Sequence, residues 1–191
     1  MVHKKLLMVF ILLASNLTLF AAEKDSIFNK VFFGVGYLHP SSAGINPEWK
    51  SNPQIQFISG IRYWKGYLLA DIKYTNYQST SSFPDFSLTT ISAGYEFRAP
   101  TRAAFTFHIA TMIGNAYMQF EDNNVNKHVQ GESELCMSIT PQVSWHKGRF
   151  GLVVGYYFSR IYTATRFDQH LVQVQTRFYL QTPKKVKSWL E

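Results

Sequence analysis

The chain has little charge, one cysteine and no long apolar run after its first residues, and each scarcity excludes a class of protein. Charged residues make up 16% of the 191 residues, below the roughly 25% usual for soluble proteins. The single cysteine, Cys136, permits neither an internal disulfide nor a cysteine metal cluster. After residue 22 no apolar run approaches the roughly 18 residues of a spanning helix. Disulfide-stapled domains and helical membrane proteins are therefore not expected.

The formal net charge of +7 does not indicate a nucleic-acid partner. The lysines and arginines do not gather on one helical face or follow a nucleic-acid-binding motif. Several of them lie near the two ends of the chain, so the centre is closer to neutral. We predict no nucleic-acid partner, and nothing in the sequence indicates a cofactor or a metal.

The first 22 residues have the layout of a secretory signal peptide. Basic residues at positions 3–5 precede an apolar stretch over residues 6–14, and the small residues Ala21 and Ala22 precede Glu23. A single anchor helix is the alternative, but the apolar stretch is short and is interrupted by Ser15 and Asn16. The sequence predicts a cleaved leader over residues 1–22.

Most of the remaining chain alternates with a period of two residues, which is the pattern of β-strands. Eight such runs follow one another, and no confident helical pattern interrupts them. We predict an all-β domain over residues 23–181, followed by a basic tail over residues 182–191. The predicted strands cover residues 31–38, 54–64, 67–78, 87–98, 103–119, 133–146, 149–162 and 169–181.

Long and short connections alternate between these predicted strands, which sorts the loops to one end of the sheet. Tight turns lie near residues 64–67, 98–102 and 146–149, whereas residues 39–53, 79–86, 120–132 and 163–168 form longer polar loops. Strands of about 10 to 12 residues with this asymmetry are typical of transmembrane β-barrels. The predicted fold is an eight-stranded antiparallel up-and-down transmembrane β-barrel with short periplasmic turns and longer extracellular loops. A soluble β-sandwich is the alternative.

Alternation also predicts which side chains face lipid and which face the lumen. In the third run Leu68, Ala70 and Ile72 share one face, while charged residues occupy the other. Charges in a narrow lumen are costly unless they are paired, so we predict an ionic network there. A catalytic pair formed by Asp71 and Glu96 is the alternative. The predicted lumen network contains Arg62, Asp71, Lys73, Glu96 and Arg177.

This alternation and loop asymmetry resemble the small eight-stranded outer-membrane barrels, the class that includes OmpX and the transmembrane domain of OmpA. The resemblance is one of architecture and carries no diagnostic peptide. It implies a location in the cell outer membrane, with outer-membrane lipid, lipopolysaccharide and the barrel assembly machinery as partners. It also implies a non-enzymatic protein whose exposed loops contact an extracellular ligand or protein, or support envelope integrity. A narrow pore is a further alternative.

A second resemblance concerns the segment that follows the first predicted strand. His39-Pro40-Ser41-Ser42-Ala43-Gly44 is similar to the His-x-Ser pair and following residues of outer-membrane lipid A deacylases. A serine nucleophile needs a neighbouring base, and His and Ser two residues apart share a strand face. This resemblance implies a lipid hydrolase using His39 and Ser41, with an acidic partner that would come from Glu48 or from another loop. The competing interpretation is the beginning of a surface loop, because Pro40 interrupts the strand ladder.

Overall fold

The computed structural model describes residues 27–41, 48–81, 83–99, 105–121, 131–163 and 167–190. β-Strands account for most of these residues, and the only helix among them, α1, covers Lys184–Leu190. The strands are β1 (Lys30–Pro40), β2 (Trp49–Ser51), β3 (Gln54–Tyr63), β4 (Gly66–Ser79), β5 (Phe86–Arg98), β6 (Phe105–Phe120), β7 (Gly131–Lys147), β8 (Phe150–Ile161) and β9 (Phe167–Gln181).

Eight of these strands close into an antiparallel barrel. With β2 left aside, each of these strands pairs with its neighbours in sequence, and β9 returns to pair with the whole of β1. Closure leaves no open edge among the long strands, which satisfies the backbone N–H and C=O groups internally. The predicted eight-stranded up-and-down barrel is confirmed.

The short strand β2 is an addition to the prediction, and it is best understood as a continuation of β3 along β4. Ser51 pairs with Tyr77 and Ile55 pairs with Tyr74, so four steps on one side face three on the other. One extra residue of this kind is a β-bulge. Pro53 lies within it and cannot donate a ladder hydrogen bond, which explains why the strand is interrupted there.

Strand β1 runs further than the sequence predicted. His39 pairs with Val172 and Pro40 with Leu171, so the loop begins after Pro40 rather than at His39. On the other side of β1, strand β3 pairs with β1 only as far as Leu38. Pro40 therefore occupies a stretch that pairs on one side, where the missing N–H is tolerated.

Tight two-residue turns close the predicted short end of the barrel. Trp64 and Lys65 lie between the paired residues Tyr63 and Gly66, and residues 148 and 149 connect β7 to β8 in the same way. Trp64 and Gly148 have positive φ values of 49° and 61°, the backbone conformation that two-residue hairpins require. We call this end the turn end and the opposite end the loop end. The predicted turn near residues 98–102 lies partly outside the described residues.

The basic tail contains a short helix, a feature that the sequence-based prediction did not address. Helix α1 has seven residues, and Lys187 N–H donates to the Pro183 carbonyl at 3.0 Å in its first turn. None of the described helical residues forms a helix long and apolar enough to cross a membrane. The predicted leader over residues 1–22 lies outside the described part of the chain.

The barrel wall has its apolar side chains outside and its polar side chains inside. Phe33, Phe57 and Ile72 point outward and are 58%, 60% and 49% exposed. Glutamines and charged residues of the same strands are buried in the lumen, including Gln56, Asp71 and Lys73. This is the reverse of a soluble β-sandwich, in which apolar side chains fill the interior.

Candidate functional site: the lumen

The largest polar cluster of the lumen is built around Glu96, which points inward from β5 and is completely buried. Its carboxylate lies 2.6 Å from Arg177 Nη1, 3.0 Å from Arg98 Nε and 2.9 Å from His108 Nδ1. Gln142 Nε2 donates a fourth bond, at 2.6 Å. Four strands therefore contribute side chains that neutralise or hydrogen-bond this single carboxylate.

The Glu96 cluster continues to the turn end through two branches. His108 Nε2 lies 2.5 Å from Ser144 Oγ, which in turn lies 3.0 Å from His146 Nε2. On the other branch, Arg98 donates from Nη2 to the Tyr179 hydroxyl at 2.9 Å. Buried hydrogen bonds of this kind remove the cost of leaving polar groups without partners.

A second cluster surrounds Asp71. Lys73 Nζ lies 2.5 Å from its carboxylate, while Gln56 and Ser92 donate to it at 2.7 Å and 2.8 Å. The Lys73 ammonium also lies 4.9 Å from the centre of the Tyr157 ring, within the range of a cation–π contact. Both charges are thus compensated inside the barrel.

The two clusters form one hydrogen-bonded system. Gln175 donates to Gln56 at 3.0 Å, and Arg177 Nε donates to Gln175 Oε1. The chain of contacts therefore runs from Lys73 to Tyr179. We call it the lumen network, and it consists of Gln56, Asp71, Lys73, Ser92, Glu96, Arg98, His108, Gln142, Ser144, His146, Gln175, Arg177 and Tyr179.

Apolar clusters fill much of the rest of the lumen. Near the loop end, Tyr77 stacks on Phe86 with ring centres 4.6 Å apart, and Phe167 packs against both rings. Near the turn end, Phe32 packs against Tyr67 and Tyr179. Gly60 makes room for the Phe32 ring, because a Cβ there would overlap it. Eight strands give an interior that side chains can fill, and here they do.

The lumen charges predicted from the sequence occupy the following places. Asp71 contacts Lys73, and Glu96 contacts Arg177, so both carboxylates that could have formed a catalytic pair have a cation beside them. Arg62 lies at the turn end, with its guanidinium 5.7 Å from the centre of the Tyr67 ring. These contacts favour a structural role for the charges over acid–base catalysis.

In the described part of the chain, no hydrogen bond joins the predicted pair His39 and Ser41. His39 points outward and stacks against Tyr37 with ring centres 6.4 Å apart. Ser41 Oγ is buried and has no hydrogen-bond partner among the described residues. The Glu48 backbone carbonyl accepts from Thr80 N–H. Residues 42–47, which separate Ser41 from Glu48, lie outside the described part of the chain.

The sequence did not single out Arg98, His108, Ser144 and His146 as members of the network. Their inward parity was readable, since Arg98 follows Glu96 by two residues and Ser144 shares a face with Gln142. Their contacts depend on the strand register, which places Arg98 opposite His108 and Thr106 opposite Ser144. No periodicity in one strand reveals that relation.

Glu96, His108 and Ser144 have the connectivity of a carboxylate–imidazole–hydroxyl triad. The surroundings do not favour catalysis. Ser144 is completely buried, its hydroxyl lies between two imidazoles, and two arginines share the Glu96 charge. A nucleophile has to reach a substrate, and this hydroxyl does not. In the described part of the chain, no group of three or more His, Cys, Asp or Glu residues is placed to hold a metal.

These features define the architecture of the small eight-stranded outer-membrane barrels, and comparisons with solved structures agree. The chain is similar to Neisserial surface protein A, with a TM-score of 0.63 at 12% identity over 78% of this chain and 96% of the other. It is also similar to outer membrane protein H (OprH) from P. aeruginosa in DHPC micelles, with a TM-score of 0.56 at 12% identity over 79% and 99%.

A third similar structure is Ail, the attachment invasion locus protein of Yersinia pestis, in complex with the heparin analogue sucrose octasulfate. It gives a TM-score of 0.52 at 8% identity over 80% of this chain and 99% of the other. At these identities the likeness shows the fold alone. No family model matches the sequence, and no curated protein matches it.

Cys136 offers a direct test of whether the lumen is filled. It is 4% exposed and belongs to the apolar cluster near the loop end. A water-soluble maleimide is expected to leave the folded barrel unmodified and to react fully after unfolding in urea, because the thiol has to reach solvent first. Mass spectrometry of the intact protein measures the reaction.

A matched variant controls for reagent access to the same strand. Ser133 lies on β7 and is exposed, so a Ser133→Cys substitution in a Cys136→Ser background should react readily without urea. Modification of Cys136 in the folded barrel at the rate of Ser133→Cys would mean that water passes through the lumen.

Proposed function

We propose that the protein is a non-enzymatic outer-membrane barrel that anchors its loops at the cell surface. The observation that carries this proposal is the distribution of side chains in the barrel. Large apolar side chains are exposed on the outside, and the charged side chains inside are paired with one another in a polar network. An outer face of this kind suits contact with lipid, and a closed strand order suits a membrane interior. The turn end then faces the periplasm and the loop end faces the exterior.

A narrow pore is the weaker alternative. The lumen network links β9 to β5 across the interior through Arg177 and Glu96, and aromatic side chains fill the lumen near the loop end. An ion would have to displace these contacts, which stabilise one another in a site with little water. These observations support a role for the barrel wall as an anchor and the loops as the functional surface.

The proposed partners follow from this arrangement. The exposed apolar band would contact outer-membrane lipid and lipopolysaccharide, and the barrel assembly machinery would insert the chain. The loop end would contact an extracellular ligand or protein. Two of the similar structures carry the names surface protein and attachment invasion locus protein, which supports a surface role.

Digestion of intact cells with trypsin tests the proposed orientation. Two predicted loops contain Lys127 and Arg166, and a third contains Lys50, which lies in β2. The basic residues of the tail, Lys184, Lys185 and Lys187, lie beyond the turn end. We expect cleavage after Lys127 or Arg166 in intact cells, mapped by mass spectrometry of the fragments. The tail should stay intact until the outer membrane is permeabilised.

The alternative outcomes are distinct. Cleavage of the tail in intact cells, with the loops protected, would reverse the orientation. A chain released into the soluble fraction without detergent would contradict the membrane location. A Lys50→Gln, Lys127→Gln, Arg166→Gln variant is the matched control, since it removes the three trypsin sites of the predicted loops and leaves the tail sites unchanged.

A further inference from the structure

A recess of about 680 Å³ opens into the turn end of the barrel. Three cationic side chains line it, Lys30 at the beginning of β1, Arg98 at the end of β5 and Arg149 in the turn between β7 and β8. His146 and Tyr179 also line it. We call this feature the mouth recess.

Among the residues that the structure describes, no acidic side chain lines the mouth recess. The carboxylate of Glu96 contacts Arg98 from below the recess and also contacts Arg177. One buried negative charge thus faces two arginines before Lys30 and Arg149 are considered. Beyond the recess, every other charged side chain at the turn end of the described chain is also basic, namely Arg62, Lys65, Lys147, Lys184, Lys185 and Lys187.

Arg98 is held in place before any ligand arrives. Its Nε donates to Glu96 at 3.0 Å, its Nη2 donates to Tyr179 at 2.9 Å, and its guanidinium carbon lies 4.4 Å from the centre of the Tyr67 ring. The side chain remains 14% exposed. A guanidinium fixed in this way loses little freedom when it binds an anion, which favours binding.

We propose that the mouth recess binds a phosphate group. Lys30, Arg98 and Arg149 supply three positive charges around one cavity, and the Tyr179 hydroxyl and the His146 ring add hydrogen-bonding groups. A phosphate monoester carries close to two negative charges and three acceptor oxygens, so it matches several donors at once, whereas a carboxylate carries one charge and two oxygens.

The phosphate has two possible sources, a small water-soluble phosphate or the headgroup of a phospholipid. The lipid source rests on the proposed membrane location, because only a spanning barrel places its turn end at the headgroup level. Binding of a soluble phosphate does not depend on that location. The two arms of the experiment therefore separate the source, and the trypsin experiment tests the location independently.

The first arm uses the full chain, refolded in dodecyl maltoside, a detergent without phosphate. Glycerol 3-phosphate is titrated at constant ionic strength, and the amide NMR signals of residues 148 and 149 are followed. We expect saturable shifts, and acetate should bind about tenfold more weakly or not at all. Constant ionic strength removes general screening as an explanation. Absence of saturable shifts in this chain, or equal binding of acetate, overturns the proposal.

Two charge-matched double variants localise the site. Lys30→Gln with Arg149→Gln removes two charges of the mouth recess and should weaken binding about tenfold or more. Lys147→Gln with Lys184→Gln removes two charges from the same end outside the recess, and binding should stay within about twofold. Both double variants, which change four positions in all, are checked for folding by the mobility shift of unboiled samples. Equal losses of affinity for glycerol 3-phosphate in the two double variants would contradict the proposal, because binding would then depend on the basic surface as a whole.

The second arm replaces glycerol 3-phosphate with a short-chain phosphatidate in the same detergent. If phosphatidate displaces glycerol 3-phosphate at a concentration at least tenfold below that of glycerol 3-phosphate, the result supports a lipid headgroup as the source. Equal affinities support a soluble phosphate. Failure of phosphatidate to compete, while glycerol 3-phosphate still binds, excludes the lipid source and leaves the soluble one supported.

Discussion

A Glu96→Gln substitution is expected to destabilise the barrel by about 3–5 kcal/mol, the usual cost of removing one partner of a buried ion pair. Glu96 is completely buried, and Arg177 is 1% exposed. Glutamine keeps the size of the side chain but leaves the Arg177 and Arg98 guanidiniums without their counter-ion. Urea unfolding of the refolded protein, followed by tryptophan fluorescence, measures the free energy of unfolding.

Two further variants show whether charge compensation is the cause. Glu132→Gln changes an exposed carboxylate near the loop end and should cost less than about 0.5 kcal/mol. Adding Arg177→Met to Glu96→Gln removes one of the unpaired cations, so part of the lost stability should return. A loss below about 1 kcal/mol for Glu96→Gln alone would show that the network contributes little to stability.

The two-residue alternation predicted the two faces of the barrel wall because alternate residues of each strand point to opposite sides of the sheet. Leu68, Ile72 and Tyr74 are exposed, while Asp71 and Lys73 between them are buried, as their parity indicates. Loop sorting predicted the number and direction of the strands in the same local way. The orientation of side chains and the number and direction of strands depend on residues that are close in sequence, so a single sequence is sufficient to predict them.

The lumen network could be predicted only in outline because its contacts depend on closure. Parity places Gln56 and Gln175 inside, but their hydrogen bond joins residues 119 positions apart and exists because β9 returns to β1. Likewise, Glu96 pairs in register with Ala110 and contacts His108, one inward position away. The sequence therefore indicated that the lumen charges need partners, without identifying all of them.

At the first loop the prediction of the strand end was wrong, because it relied on turn-forming residues. Pro40 and the following serines resemble the beginning of a loop, yet β1 continues through Pro40 because β9 supplies a partner there. Pro53 similarly suggests loop, yet β2 resumes the pairing beyond the bulge. Tertiary pairing thus overrode local preference at both prolines.

An Ile72→Arg substitution is expected to cost about 2–4 kcal/mol in lipid vesicles, the range for an arginine on the lipid face of a barrel near the middle of the membrane. Ile72 lies midway along β4 with its side chain outward. Unlike Glu96, Ile72 has no ionic partner to lose, so the loss of stability reports whether the outer face of the barrel is in contact with lipid or with water. The free energy of unfolding in urea, measured in phosphatidylcholine vesicles, gives this cost.

Gln78→Arg is the matched control because residue 78 lies on the same strand and the same outward face, near the loop end. Its cost should be about 0–1 kcal/mol, since an arginine near the interface reaches water and lipid headgroups. The difference between the two positions distinguishes a wall in lipid from a wall in water. If the outer face met water, arginine at residue 72 would cost little more than at residue 78, and the exposed apolar band would need a partner other than lipid.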